Sequence, residues 1–366
     1  MREYVLVCLV VTVVTFLATP FARWIAVRFD AITPVRGRDV HTVPIPRLGG
    51  LAMLAGLVAG LAVASQLPFL SQLFRVEDGQ GPKLAGVLVG AVLICALGVI
   101  DDFRGLDALT KFAGQMLAGG LMAFSGVQLI SLPIDGRTIL PQPILVVLTV
   151  FIVVATTNAV NFVDGLDGLA AGVVGIAGLT FFIWAYFQPR FDPPNVFSVA
   201  ALLSAVLVGC CLGFLPHNFF PARLFMGDSG ALLLGLLLSA ATISFTGDYD
   251  PAIAEVSPAV SWWLPIALPV AILLLPVVDI LLAFRRRGRN FTRPDAKHLH
   301  HKMLRIGHTH RRAVLILYAW SFSIAVGVLS FSYTAVPVVT SILAVLLAGS
   351  LVLTWGVPRW LDQHRL

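Results

Sequence analysis

Runs of about 20 apolar residues recur along the whole chain, and no polar stretch between them is long enough to build a soluble domain. A helix of that length crosses the roughly 30 Å hydrocarbon core of a bilayer. Inside that core every backbone N–H and C=O must be paired within the protein, which selects helices. The alternating strands of about ten residues that build a membrane barrel are absent. Only 12% of residues are charged, against about 25% in soluble domains, and mean hydropathy is +0.91. The pattern predicts an all-α polytopic integral membrane protein, one membrane-embedded unit over 1–366 with about eleven transmembrane helices. The spans fall near 4–22, 48–66, 84–100, 111–129, 143–162, 168–187, 197–214, 229–246, 262–284, 313–333 and 336–356. The first reads as a span and not a signal peptide, because Arg23 and Arg28 follow the apolar run and no small-residue cleavage site comes after it. Cys8, Cys95, Cys210 and Cys211 lie in apolar runs without metal-ligand spacing and read as small core residues.

Basic residues set the orientation. With the N-terminus outside and the C-terminus cytoplasmic, 20 of the 25 Lys and Arg face inward, as the positive-inside rule requires. The inner loops then lie near 23–47, 101–110, 163–168, 215–228 and 285–312. The net charge of +6 is mostly topology set against lipid, so nucleic acid is not an expected partner. All eight histidines fall on the inner side, whereas Glu3, Glu77 and Glu255 fall outside. Chemistry is therefore expected on the cytoplasmic face.

Five stretches on that face carry polar groups at helix ends. Asp101 and Asp102 close the third span, beside Arg104. Adjacent carboxylates at a membrane boundary are costly unless a cation, a metal-bound phosphate or a shared proton offsets them, or the helix end is simply solvated. Asn158, Asn161, Asp164 and Asp167 end the fifth span within ten residues. The two asparagines share a helix face, while Gly165 and Gly168 point to unwinding of the next turn. Such an oxygen-rich group suits Mg2+, which takes oxygen ligands and leaves room for substrate phosphates. Phe225 to Gly230 opens the eighth span, with Asp228 as either a helix cap or a ligand and two glycines that admit a diphosphate. The loop from Arg285 to Arg312 holds ten basic residues and also His298, His300 and His301. Phosphate and sugar oxygens suit it better than zinc, since no Cys and no helix-spaced His pair with Glu accompanies them. In the first inner loop, Pro44, Pro46, Gly49 and Gly50 predict a rigid turn, with His41 and Arg47 as phosphate contacts. Asp279, within the ninth span, reads as the partner of a loop cation.

Taken in order, His41 to Gly50, Asp101-Asp102, Asn158 to Gly168, Phe225 to Gly230 and His298 to His301 resemble the motifs of the polyprenyl-phosphate N-acetylhexosamine-1-phosphate transferases, across nearly the whole chain. Within that family the chain is similar to the WecA/TagO branch, which uses UDP-N-acetylglucosamine. The MraY branch, which uses UDP-MurNAc-pentapeptide, usually carries three consecutive histidines and a lysine in the first inner loop. Here Leu299 interrupts the histidines and Arg47, with no lysine, precedes Gly49. The resemblance implies transfer of N-acetylglucosamine 1-phosphate from UDP-GlcNAc to a polyprenyl phosphate, with release of UMP. The expected setting is the bacterial plasma membrane, at the lipid-linked first step of cell-envelope glycan synthesis; another UDP-N-acetylhexosamine is the alternative donor. It implies Mg2+ as cofactor, with Mn2+ as a substitute, and the UDP-sugar, the polyprenyl phosphate and membrane lipid as partners, leaving a homodimer open.

Carried over residue by residue, the resemblance makes Asp228 a Mg2+ ligand assisted by Asn161, and Phe225 the aromatic that stacks on uracil. Asp167 lies where the uracil edge is read, with Asn158 and Asp164 in the same nucleotide-binding stretch. Asp101 and Asp102 match a pair held to activate the lipid phosphate, and Lys111 a lysine of the cleft. His298, His300 and His301 match a loop that closes over the sugar phosphate. A secondary transporter, the main rival reading, would place ionisable groups near the midplane on inverted repeats. A non-enzymatic scaffold would have no reason to gather His, Asp and Asn on one side.

Overall fold

The structure, a computed structural model, describes residues 1–33, 44–75, 81–129, 140–187, 198–247, 308–330, 334 and 336–356. Among them are ten α-helices: α1 Arg2–Arg28, α2 Gly49–Ala64, α3 Gly81–Arg104, α4 Ala108–Phe124, α5 Gln142–Val163, α6 Leu169–Phe187, α7 Val199–Asn218, α8 Gly227–Gly247, α9 His310–Ser330 and α10 Val336–Leu351. Each coincides with a predicted span; the span near 262–284 and Asp279 lie outside the described residues. Eight of the helices are long and apolar enough to cross a membrane, whereas α2 and α4 have 16 and 17 residues. The chain is thus a mostly helical, polytopic membrane protein.

Helix ends depart from the hydropathy pattern where the polar motifs sit. Apolarity predicts that the third span stops at 100, but α3 runs on to Arg104 and carries Asp101 and Asp102 in its last turn. Likewise α8 begins at Gly227, ahead of the apolar run, so Asp228 lies in its first turn. Hydropathy marks which side chains lipid tolerates; the backbone stays helical wherever its groups are paired. Among the described residues the all-α expectation has one exception, a two-residue antiparallel pair of β1 Ile32–Thr33 with β2 Ile45–Pro46.

Apolar coverage decides which helices are central. α8 is apolar on every side and 94% of its spanning window is buried, against 28% for α1 and 17% for α10. It packs against α2, α3, α5 and α7. α1 instead exposes Leu17, Phe21 and Trp24, a face suited to lipid. The four cysteines are free, three of them buried, as expected of small core residues.

Backbone-to-backbone contact brings α2 and α3 onto the start of α8. A Cβ on Gly50 would lie 2.3 Å from the carbonyl carbon of Ser229, and one on Gly98 2.4 Å from its Cα. The expected glycine turn before α2 is therefore corrected. Leu48 takes the left-handed backbone (φ 87°), while Gly49 and Gly50 are already helical and are needed for proximity. At the far end of the bundle, Glu3 accepts hydrogen bonds from the amides of Phe69 (3.1 Å) and Leu70 (2.8 Å), fixing α1 to the short 3-10 turn Leu70–Phe74.

Candidate active site

The first amides of any helix need acceptors from elsewhere. At α8 they come from α3: Asp102 Oδ1 accepts from the Asp228 amide (2.9 Å) and Oδ2 from the Ser229 amide (3.2 Å). Gly227, at φ +66°, turns the chain into this position, and a Cβ there would sit 2.3 Å from the Asp102 carboxylate. A carboxylate placed so, against the positive end of the helix, contributes about 0.5–2 kcal/mol. Of the two readings of Asp228, the cap is therefore set aside. Asp102 does the capping, and the Asp228 side chain projects free of its own helix end.

Asp228 is held from two sides. Asn161, in the last turn of α5, donates Nδ2 to Asp228 Oδ1 (2.6 Å). Lys111, in the first turn of α4, donates its ammonium to Asp228 Oδ2 and pairs with Asp101 Oδ2 at 2.7 Å. Asp101 Oδ1 accepts from the Leu106 amide (2.6 Å). The sequence neighbours Asp101 and Asp102 thus reach Asp228 by different routes. Successive residues on a helix point about 100° apart, so one carboxylate reaches the α8 amides and the other reaches Lys111. The side chains of Lys111 and Asp228 keep 23% of their surface accessible, which leaves this cluster open to a ligand.

The remaining candidates sit around this centre. The Asn158 amide, one helical turn deeper than Asn161, donates to Gln115 Oε1 (2.8 Å) and to the Val154 carbonyl (2.7 Å). α5 ends at Val163, and the Asp164–Gly168 turn unwinds as the glycines foretell, with Gly168 at φ +80°. That turn is bolted in place: Asp167 Oδ2 accepts from the Ala222 amide (2.9 Å), Asn218 Oδ1 from the Gly168 amide (3.0 Å), and the Tyr318 hydroxyl donates to the Gly168 carbonyl. Part of Asp164 reaches the surface, yet its carboxyl is enclosed by protein. Burial, reinforced by the negative charges of Asp228, Asp102 and Asp167 and opposed by Arg47, pushes it up to about 8.

Phe225 is half-buried; its amide donates to the Pro46 carbonyl (2.9 Å) and its carbonyl accepts from the Gly49 amide (3.1 Å). The first inner loop and the Phe225–Gly230 stretch are thereby stitched together. Arg47 donates its amide to the Ala31 carbonyl (2.9 Å) and Nε to Thr33 Oγ1, so β1 and β2 hold it at the same end of the bundle. His41, His298, His300 and His301 lie outside the described residues. Three supporting residues escaped the sequence reading: Gln115, Asn218 and Tyr318. An amide inside an apolar span, four residues after Lys111, was a usable signal for Gln115; nothing local distinguishes Asn218 or Tyr318.

Comparison with known proteins places these motifs. Residues 84–246, which hold the Asp101, Lys111, Asn161 and Asp228 cluster, match the model of glycosyl transferase family 4. The chain is 42% identical over 338 residues to the decaprenyl-phosphate N-acetylglucosaminephosphotransferase of Mycolicibacterium smegmatis, covering 90% of this chain and 82% of that protein. It is 31% identical to the probable undecaprenyl-phosphate N-acetylglucosaminyl 1-phosphate transferase of Bacillus subtilis, over 87% of this chain and 82% of that one. A more distant match is the phospho-N-acetylmuramoyl-pentapeptide-transferase of Streptococcus pyogenes, 31% identical over 66% of this chain and 74% of that protein. On these matches and the motifs they span, the chain belongs to glycosyl transferase family 4, among the polyprenyl-phosphate N-acetylhexosamine-1-phosphate transferases.

Proposed function

We propose that this protein transfers N-acetylglucosamine 1-phosphate from UDP-GlcNAc to a polyprenyl phosphate at the cytoplasmic face of a bacterial plasma membrane, releasing UMP. The observation that carries the reading is the convergence of Asp101, Lys111, Asn161 and Asp228 from four helices onto one partly open point. The relatives with 42% and 31% identity that span most of the chain bear N-acetylglucosamine phosphotransferase names, which favours that sugar over the muramoyl-pentapeptide. The bias of basic residues toward this end supports the cytoplasmic side.

A nucleotide diphosphate brings several negative charges, and the site must offset them. Two carboxylates and a carboxamide form an oxygen-only donor set, the kind Mg2+ takes while keeping positions for phosphate oxygens. Among the described residues no three His, Cys, Asp or Glu side chains form a metal site on their own, so in this reading the remaining positions on an ion would fall to substrate oxygens. Asp228 would hold the ion, with Asn161 turning its amide oxygen inward and Asp101 completing the set. When bound, the ion supplies charge neutralisation on the diphosphate.

The chemistry asked of the chain is positioning. An oxygen of the polyprenyl phosphate attacks the β-phosphorus; a P–O bond forms there and the bond to the α-phosphate's bridging oxygen breaks, with the electron pair leaving on UMP. Lys111 keeps positive charge beside the transferring group. Asp102 has both oxygens on backbone amides and Asp101 is bonded to Lys111 and Leu106, so in this reading both carboxylates hold the site and neither is asked to act as base. None is required, because a phosphate monoester carries its own nucleophilic charge. The fixed Asp164–Gly168 turn and Phe225 are assigned to the nucleotide, Arg47 and His41 to phosphate, and His298, His300 and His301 to the sugar phosphate.

The test is purified protein supplied with polyprenyl phosphate, Mg2+ and a panel of UDP-sugars, with Asp228→Asn alongside. Lipid-linked product from UDP-GlcNAc, lost by a factor of about a hundred or more in the variant, is expected. Product from UDP-MurNAc-pentapeptide alone, or an unimpaired variant, would overturn the assignment.

A further inference from the structure

Gln115 sits in the middle of the α4–α5 contact, 1% exposed, and its side chain is oriented at a cost. Its Oε1 accepts from Asn158 Nδ2 (2.8 Å), while its Nε2 is buried with no hydrogen-bond partner among the described residues. Rotating the Gln115 amide would set two donors, its own Nε2 and Asn158 Nδ2, against each other. Rotating Asn158 as well would break its bond to the Val154 carbonyl (2.7 Å) and leave two carbonyl-type oxygens opposed. Every arrangement of the two amides therefore leaves an unmet polar group, which in a buried place is a net cost. An apolar side chain of the same shape would serve packing better, so stability does not account for a glutamine here.

Its position does. Gln115 stands one helical turn below Lys111 on α4, and Asn158 three residues before Asn161 on α5. Above them Lys111 and Asn161 each take one oxygen of Asp228. The four side chains and Asp228 close a frame: Gln115 to Asn158, along α5 to Asn161, across Asp228 to Lys111, and back along α4. We propose that Gln115 is a positioning residue for the transfer reaction. Through Asn158 it fixes the register of α4 on α5, and so the placement of the Lys111 ammonium and the Asn161 amide about Asp228. This rests on the reading of Asp228 as the reaction centre.

Gln115→Met keeps the shape and removes both the bond and the unmet donor. In the full-length protein, kcat for transfer from UDP-GlcNAc is expected to fall about tenfold to a hundredfold, the scale for a reacting group displaced by about an ångström. KM for the donor should change little, and the thermal midpoint in detergent should stay level or rise. Asn158→Ala should lower kcat by a similar factor, and the double variant no further than either single one, because both cut the same tie. A merely structural glutamine would instead lower the midpoint and leave kcat per folded molecule intact. Wild-type kcat in Gln115→Met, or additive losses in the double variant, would overturn the proposal. Asp228→Asn serves as the reference. Inactive Asp228→Asn with fully active Gln115→Met defeats this inference alone, whereas active Asp228→Asn defeats the reading beneath it.

Discussion

Five carboxyl groups among the described residues set the electrostatics of this end of the molecule. Asp102 is spent on helix amides, Asp101 and Asp228 share the Lys111 ammonium, Asp167 takes the Ala222 amide, and Asp164 is opposed by Arg47 from among the described residues. Asp164 should therefore show itself in stability. An aspartate ordinarily titrates near 3.9, but burial and its acidic neighbours hold Asp164 up to about 8 in the fold. Between those values the folded protein binds more protons than the unfolded chain, so stability falls as pH rises and levels off above about 8. In EDTA-treated protein the thermal midpoint should drop from pH 5 to pH 8, and Asp164→Asn should flatten that drop; an identical slope in both proteins would refute it. Much of this was legible in sequence, because carboxylates and amides at the ends of apolar spans are too expensive to be idle. The split between Asp101 and Asp102 was not, since nothing local says that a carboxylate will meet an amide 126 residues away.

The element that matters most is the first turn of α8. It is gripped by the backbones of α2 and α3 through Gly50 and Gly98, and this grip sets where Asp102 caps and where Asp228 points. Gly98→Val should force α3 off α8 and destabilise by about 1–3 kcal/mol, the usual scale of overpacking. Gly120→Ala in α4, where a Cβ would meet nothing within 4 Å, should be neutral or stabilise by up to about 1 kcal/mol through helix propensity. Thermal midpoints of the two detergent-solubilised variants check this, and equal midpoints would contradict it. The sequence pattern located the helices well because lipid rewards long apolar runs. It misjudged Gly49 and Gly50 as turn formers, because a glycine kept for close approach looks the same as one kept for its backbone freedom.

At the scale of the whole molecule, a buried α8 packed among α2, α3, α5 and α7 presents its N-terminal end as the meeting point of chain segments far apart in sequence. Such an end lets a water-soluble nucleotide sugar and a lipid phosphate reach one spot without either crossing the membrane. The order of spans and the polar face were readable from residue pattern alone. Which helices adjoin was not, because apolar spans carry little information on their neighbours. The proposed reaction breaks the diphosphate linkage and not the sugar–oxygen bond. Purified protein with polyprenyl phosphate and UDP-GlcNAc labelled in both sugar and β-phosphate measures this directly. The prediction is UMP as the only nucleotide product, with sugar and β-phosphate labels arriving together in equal amount in the lipid fraction. Release of UDP, with sugar label alone in the lipid, would contradict it.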